Sequence, residues 1–177
     1  HQPPPQRILS LVPALTEILF DIGAGALVVG VGSFDSFPPE IKHLPRVGAL
    51  LDPDTERILS LRPGLVVIYG SQTDLQKQFT RAGITTFVYR NGGIDTIFQT
   101  MRDLGDATGH RPQADRVVGD LQKRIADVRT RVMGRPKPRV LLVIDRQPKT
   151  LREIYVSGGV GFLHEMLNIA GGTNVFA

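Results

Sequence analysis

The chain has 177 residues, of which 41% are hydrophobic and 21% charged. That is ordinary globular composition and enough chain to bury a core without staples. The net charge of +4 is too modest and dispersed for a nucleic-acid surface, and 6% aromatics with no Trp offer little for base stacking. Cysteine is absent, which excludes disulfides, zinc-thiolate sites, iron–sulfur clusters and Cys nucleophiles together. The longest apolar runs, such as Leu65 to Tyr69, fall far short of the roughly 20 residues that span a bilayer.

Residues 1–6, with their three prolines, read as an extended lead-in without the apolar stretch of a signal peptide. Ile8 to Leu11 reads as a buried strand ended by Pro13. A short helix over Ile18, Leu19 and Ile22 follows, with Thr16 or a neighbour as its cap and Gly23 as its stop. Val28 to Val31 is the next strand. Ser33 to Pro45 is a loop with one helical turn at Glu40 to His43. Asp54 caps a helix over Thr55 to Leu61, and Leu65 to Tyr69 is a strand apolar enough to be covered on both faces. Helix Ser71 to Ala82, strand Thr85 to Tyr89 and helix Ile94 to Thr108 continue the alternation. A helix of about 20 residues begins at Pro112 and runs to Met133, with Val117, Leu121, Ile125, Val128 and Val132 at helical spacing. Arg139 to Asp145 is a strong strand, Ile154 to Val156 a short one, and Phe162 to Ala170 the last helix.

This alternation predicts an α/β fold: a Rossmann-like lobe with a mainly parallel sheet, a long connecting helix, and the incomplete start of a second α/β lobe. The expected boundaries are lead-in 1–6, first lobe 7–110, connecting helix 111–135 and second lobe from 138 to 177. One strand with one covering helix cannot bury both faces of a sheet. The apolar run Val140 to Ile144 is therefore expected to be exposed, favouring a dimer formed through the incomplete lobe, domain exchange, or disorder of the last 40 or so residues.

Familiar chemical motifs fail on inspection. Gly30-Val31-Gly32 follows a strand but lacks the third glycine of a dinucleotide fingerprint. Ser157 to Gly161 is glycine-rich before a helix yet lacks the Lys-Ser/Thr of a P-loop. His164-Glu165-Met166-Leu167-Asn168 has Asn where a zinc-binding helix needs its second His, and the other histidines are scattered, so no metal site is expected. Ser10, Ser60 and Ser157 have no evident base, so no catalytic residue is assigned. A small α/β enzyme using the Gly158–Gly161 loop for phosphate, and a protein-binding adaptor, stay open as other classes.

What remains is the rim formed by the carboxyl ends of the strands, where open α/β sheets bind ligands. It carries Pro13, Ala14 and Leu15; Phe34, Asp35 and Phe37; Leu50 and Leu51; Tyr69 and Gly70; and Arg90 and Asn91. Aromatics placed in loops rather than in the core mark a ligand surface.

Several segments together resemble one family. Arg7-Ile8-Leu9-Ser10-Leu11-Val12-Pro13-Ala14-Leu15-Thr16-Glu17-Ile18-Leu19 is similar to the opening of the substrate-binding proteins of cobalamin, haem and ferric-siderophore ABC importers. So are Val28-Val29-Gly30-Val31, Phe37-Pro38-Pro39-Glu40, Leu44-Pro45-Arg46-Val47-Gly48 and Glu56-Arg57-Ile58-Leu59-Ser60-Leu61-Arg62-Pro63. Phe162 to Leu167, with Ala170-Gly171-Gly172-Thr173-Asn174-Val175-Phe176, looks like the start of that family's second lobe. The resemblance implies two lobes joined by a long helix, a ligand cleft between them, and a second lobe truncated here.

It also implies a non-enzymatic, periplasmic or otherwise extracytoplasmic solute-binding component of an importer. Its ligand is a cobalt or iron chelate rather than a resident cofactor, and it meets the membrane only through the permease. Tyr69 matches a position that stacks on ligand. Asp74 is the resemblance's candidate for docking on the permease. Haem binders of the family present a Tyr just after Arg-Val-Gly, where this chain has Ala49 and Leu50. Arg90 and Arg146 suit an anionic siderophore, whereas Phe34, Tyr69 and the Leu50–Asp54 loop suit a corrinoid. A cobalamin-type ligand is favoured, with siderophore and haem as alternatives.

Overall fold

The computed structural model describes residues 4–177, so His1, Gln2 and Pro3 of the lead-in lie outside the described residues. The chain forms two compact units, one made of residues up to Arg90 together with Thr100–Val117, the other of Asn91–Gln99 and Val118–Ala177.

The first unit is built on Ile8–Ser10 (β1), whose three residues are all buried. β1 pairs in parallel with Val28–Val31 (β2) on one side and with Leu65–Tyr69 (β3) on the other. Thr85–Tyr89 (β4) adds to β3, giving the order β2-β1-β3-β4, all parallel. Leu65 to Ile68 are buried, as their unbroken apolar run requires. One face of the sheet packs a cluster of Leu9, Leu11, Val47, Ile58, Val66, Ile68, Leu75 and Phe79. The last two come from Thr73–Arg81 (α3), where the i, i+4 spacing puts both on one stripe.

Helix starts follow local chemistry. Pro13–Asp21 (α1) begins with Pro in its first turn, where a missing N–H costs nothing, and Val12 stands at its N-cap. Thr16, expected as a cap, lies inside the helix, and its hydroxyl donates back to the Val12 carbonyl at 3.3 Å. The proline was the stronger start signal. Thr55–Ser60 (α2) is capped as expected: the Asp54 carboxylate accepts from the Arg57 amide at 2.9 Å. Between β2 and α2, Pro39–His43 forms a 3-10 turn after a cis Phe37–Pro38 peptide bond.

Ile94–Thr108 (α4) and Arg111–Val132 (α5) contribute residues to both units. Within the first unit they are tied by Arg111, which donates to Asp106 at 2.7 Å and Asp115 at 2.9 Å, and by Arg102, which donates to Asp115 at 3.1 Å. The two arginines hold the Asp115 carboxyl below its ordinary range.

The second unit departs from the single strand expected at Arg139 to Asp145. Arg139–Val140 (β5) pairs in parallel with Thr173–Asn174 (β8), while Val143–Asp145 (β6) pairs antiparallel with Tyr155–Val156 (β7). The apolar run continues through Leu141 and Leu142, but its two halves find different partners, and composition alone cannot specify pairing. Phe162–Ile169 (α6) completes the unit. Its Glu165 carboxylate accepts from the Ile94 amide at 2.6 Å, satisfying a free N–H at the start of α4. Leu141, Val143 and Ile144 are half exposed.

Phe79 is fully buried in the core cluster. Phe79→Ala is expected to cost about 3–5 kcal/mol in urea unfolding, whereas Asp54→Ala, which removes only a cap, is expected to cost about 1 kcal/mol.

Candidate ligand-binding site

The order β2-β1-β3-β4 means that the chain leaves β1 in one direction to reach β2 and returns past it to reach β3. In open α/β sheets a crevice forms where this reversal occurs, outside the carboxyl ends of the strands. A pocket of about 220 Å³ lies there, lined by Leu11, Pro13, Gly32, Ser33, Phe34, Asp35, Ala49, Leu50 and Tyr69. Its residues come from the ends of β1, β2 and β3 and from the loop ahead of α2.

Arg46 organises the β2 side. Its guanidinium donates to the carbonyls of Asp35 at 2.7 Å and Gly32 at 3.2 Å, closing the Ser33–Pro45 loop onto the strand end. The backbone around it extends the sheet edge, with the Val31 amide donating to the Pro45 carbonyl and the Val47 amide to the Val31 carbonyl. Gln72 does the same work on the β3 side. Its side-chain oxygen accepts from the Tyr69 amide at 3.0 Å, and its amide nitrogen donates to the Leu50 carbonyl at 2.9 Å. One side chain thus fixes the turn after β3 to the Leu50 loop. Neither Arg46 nor Gln72 was singled out from the sequence as a site residue; both act through backbone carbonyls and amides that only the fold brings near.

The expected rim residues divide by environment. Phe34, Phe37 and Leu51 are exposed, at 77%, 55% and 94%. Tyr69 is half-buried and meets Tyr89 edge to face, with ring centroids 5.9 Å apart. Burial, with Tyr89 and Asp35 nearby, pushes its phenol pKa upward. Pro13 and Leu50 line the pocket and Ala14 is exposed beside it in sequence, but Leu15 is turned into the core at 1% exposure, because α1 already starts at Pro13. Gly70 and Arg90 sit at the ends of β3 and β4, joined by the Gly70 amide donating to the Tyr89 carbonyl at 2.8 Å. Asn91 and Arg146 belong to the second unit, where Arg146 is exposed and donates to the Thr150 carbonyl at 2.7 Å. Asp74 stands exposed in the first turn of α3, 3.2 Å from Lys77.

Asp35 is the unusual member. It is 4% exposed, and neither carboxyl oxygen has a hydrogen-bond partner. Burial raises its pKa from the ordinary 3.8, with the Thr16 hydroxyl, Arg46 and the Gly32 backbone opposing the rise. Thr16 spends its hydrogen on the Val12 carbonyl instead. Gly32 makes room for the carboxylate: a Cβ there would lie 3.1 Å from Oδ2.

A larger hollow, about 790 Å³, lies in the second unit among Phe98, Ile125, Arg129, Lys137, Glu165 and neighbours. It is lined by helices rather than strand ends, and its Glu165 carboxylate is already committed to the Ile94 amide. In the same unit, the Gly158–Gly161 loop is pinned by Asn174, whose side-chain amide donates to the Ser157 and Gly158 carbonyls, both at 2.9 Å. The described residues contain no group of three or more His, Cys, Asp or Glu placed to hold a metal ion.

Residues 8–177 match the periplasmic binding protein family. The chain belongs to that family. Its relatives include an uncharacterized ABC transporter substrate-binding lipoprotein of Bacillus subtilis strain 168, 30% identical over 181 residues, covering 98% of this chain and 56% of the relative. The vitamin B12-binding protein of Salmonella typhimurium strain LT2 is 32% identical over 173 residues, covering 97% of this chain and 62% of the relative. Among solved structures, the apo periplasmic heme-binding protein RhuT from Roseiflexus sp. RS-1 superposes with a TM-score of 0.80 at 30% identity, over 96% of this chain and 65% of that one. The chain therefore spans about 60% of the length of the curated relatives it matches. These are solute-binding proteins, not enzymes, so the phosphate-enzyme alternative falls.

The Asp35 charge has a testable cost. A carboxyl whose pKa is raised in the fold binds its proton more tightly there than in the unfolded chain, so stability falls as pH rises from 3.8 through the folded pKa. Asp35→Asn is expected to melt higher than the wild type at pH 7, with the gap narrowing below about pH 4; calorimetry across that range reads both.

Proposed function

We propose that this chain is the solute-binding component of an ABC importer outside the cytoplasmic membrane. It captures a bulky metal chelate at the first unit's strand-end rim and hands it to the permease. The observation that carries this reading is the pocket at the strand reversal beside β1, with Phe34 and Tyr69 at its wall and Leu51 exposed on the loop next to Leu50. Aromatic and aliphatic groups gathered around few polar ones suit a large, flat, mostly apolar ligand held by area rather than by many hydrogen bonds. The pocket's volume is far below that of such a chelate, so the rim takes one edge of it.

A cobalamin-type corrinoid is the favoured ligand. Support comes from the vitamin B12-binding relative and from Ala49 and Leu50 standing where haem binders of the family carry a Tyr. Haem is the second reading, favoured by the 30% identity to the heme-binding RhuT. A ferric siderophore ranks third: Arg90 and Arg146 are its only marks in the sequence. Extracytoplasmic placement rests on the same relatives, one of them a lipoprotein. Docking on the permease is assigned to Asp74. Its exposed carboxylate is only loosely matched by Lys77, and such a surface pair contributes at most about 1 kcal/mol, so the carboxylate is free to change partners.

Isothermal titration of the chain with cyanocobalamin, hemin and a ferric hydroxamate siderophore tests the reading. Saturable binding is expected with cyanocobalamin tightest, and Tyr69→Ala is expected to weaken it about tenfold, the scale of a central aromatic contact. Absence of binding to all three, or binding indifferent to Tyr69→Ala, would remove the rim as the site.

A further inference from the structure

Two walls of the strand-end pocket hang on one side chain. Tyr69 and Leu50 both line the pocket, and the backbone of each is bonded to the carboxamide of Gln72. The two bonds run in opposite senses. The Gln72 oxygen accepts from the Tyr69 amide at 3.0 Å, and its nitrogen donates to the Leu50 carbonyl at 2.9 Å. Only a group with an acceptor and a donor side by side does both, since a carboxylate cannot donate and an ammonium cannot accept.

The two ends of this bridge differ in firmness. At one end Gln72 is tied to Tyr69 twice, because its own backbone amide also donates to the Tyr69 carbonyl at 3.0 Å. Tyr69 in turn closes β3, whose Leu65 to Ile68 are buried. At the other end Leu50 sits on the tip of a tight hairpin. Gly48, at φ +86°, shapes the hairpin's base, where a side chain would run into the Asp52 carbonyl and the Asp54 amide. The Asp54 amide donates to the Val47 carbonyl at 2.9 Å, and the Ala49 amide to the Asp52 carbonyl at 3.1 Å. The tip is half-buried at Leu50 and exposed at Leu51. Among the described residues, Gln72 makes the one hydrogen bond that reaches residues 49–52 from another element.

We infer that Gln72 is a positioning residue for the ligand: a strut, anchored on β3, that holds the Leu50 wall of the pocket at a set distance from Tyr69 before the ligand arrives. The inference rests on the chelate-binding reading above and adds to it what keeps the rim preformed. Without the strut the hairpin keeps its base while its tip is free to swing, and ordering that tip becomes a cost of binding. Gln72 acts through the backbone of two residues that meet the ligand, not through a contact of its own.

Gln72→Glu tests the strut, because the variant's two protonation states differ in the one bond at issue. Ionised, the carboxylate still accepts from the Tyr69 amide but sets an oxygen against the Leu50 carbonyl. Protonated, near about pH 4.3 and below for an ordinary glutamate, it regains one donor and restores the bridge. Affinity for cyanocobalamin is measured by titration from pH 7 to pH 4 and read as the ratio to wild type at each pH. That ratio cancels groups common to both proteins: Asp35 beside the pocket, Asp52 and Asp54 on the hairpin, Tyr69 on β3, and Asp74 with Lys77 on α3. At pH 7 the variant is expected to bind about tenfold more weakly than wild type, and at pH 4 to return to within about threefold. Gln72→Met fills similar space with neither bond and is expected to lose about tenfold at every pH. In the ligand-free proteins the Tyr69 amide is expected to exchange faster in Gln72→Met and at the wild-type rate in Gln72→Glu. Wild-type binding with a Gln72→Glu ratio near one at pH 7, or with a loss that does not recover at pH 4, overturns the role of Gln72 and leaves the chelate reading standing. If Gln72→Glu fails to fold, Gln72→Met decides: wild-type affinity overturns the strut, and a tenfold loss at an unchanged melting temperature supports it. No binding of cyanocobalamin, hemin or a ferric hydroxamate by the wild type removes both.

Discussion

The first unit depends on one short strand being paired on both sides. β1 is three residues long, entirely buried, and the strand that the chain passes on its way from β2 to β3. Its neighbours on both sides take up its backbone donors and acceptors, as burial requires. Pro13 then ends the strand and starts α1 within two or three residues, and this abrupt exit keeps the carboxyl end of β1 uncovered. The crevice is a consequence of that topology rather than of any particular side chain at its rim.

Two polar side chains convert the crevice into a defined shape. Arg46 and Gln72 each reach across to loops from other parts of the chain and hold them by backbone groups. The loops carrying Phe34 and Leu50 are therefore anchored at their bases while their apolar tips stand in solvent. Anchored bases with exposed apolar tips lower the ordering cost that a ligand would otherwise bear. Asp35, whose backbone Arg46 holds, is the one group in this arrangement whose burial works against folding.

Much of the first unit was legible in the sequence because its signals are local. Leu65 to Tyr69 is apolar throughout and occupies the strand buried on both faces; Asp54 sits one residue ahead of its helix and caps it. Thr16 misled because a threonine before an apolar stretch resembles a cap, while the proline three residues earlier already fixed φ for the first turn. The run from Arg139 to Asp145 misled for a different reason: apolar content predicts that a segment will be buried in a sheet but not which strand it will pair with. At the rim, residue types in loops pointed to Phe34, Tyr69 and Leu50, and the pocket draws on all three. Leu15 was one helical position too far along, and Arg46, Gln72 and the unpartnered state of Asp35 depend on contacts 3 to 22 residues apart that no spacing rule encodes.

On the proposed function, the strand-end rim of the first unit is the surface that meets the chelate. Backbone amide exchange, followed residue by residue with and without saturating cyanocobalamin, tests it most directly. Slowed exchange is expected at the ends of β1, β2 and β3 and in the loops carrying Ser33, Phe34, Ala49, Leu50 and Gly70, with the amides of α2 unchanged. Protection confined to the helical hollow of the second unit, with the amides around Ser33 and Gly70 unaffected, would contradict it.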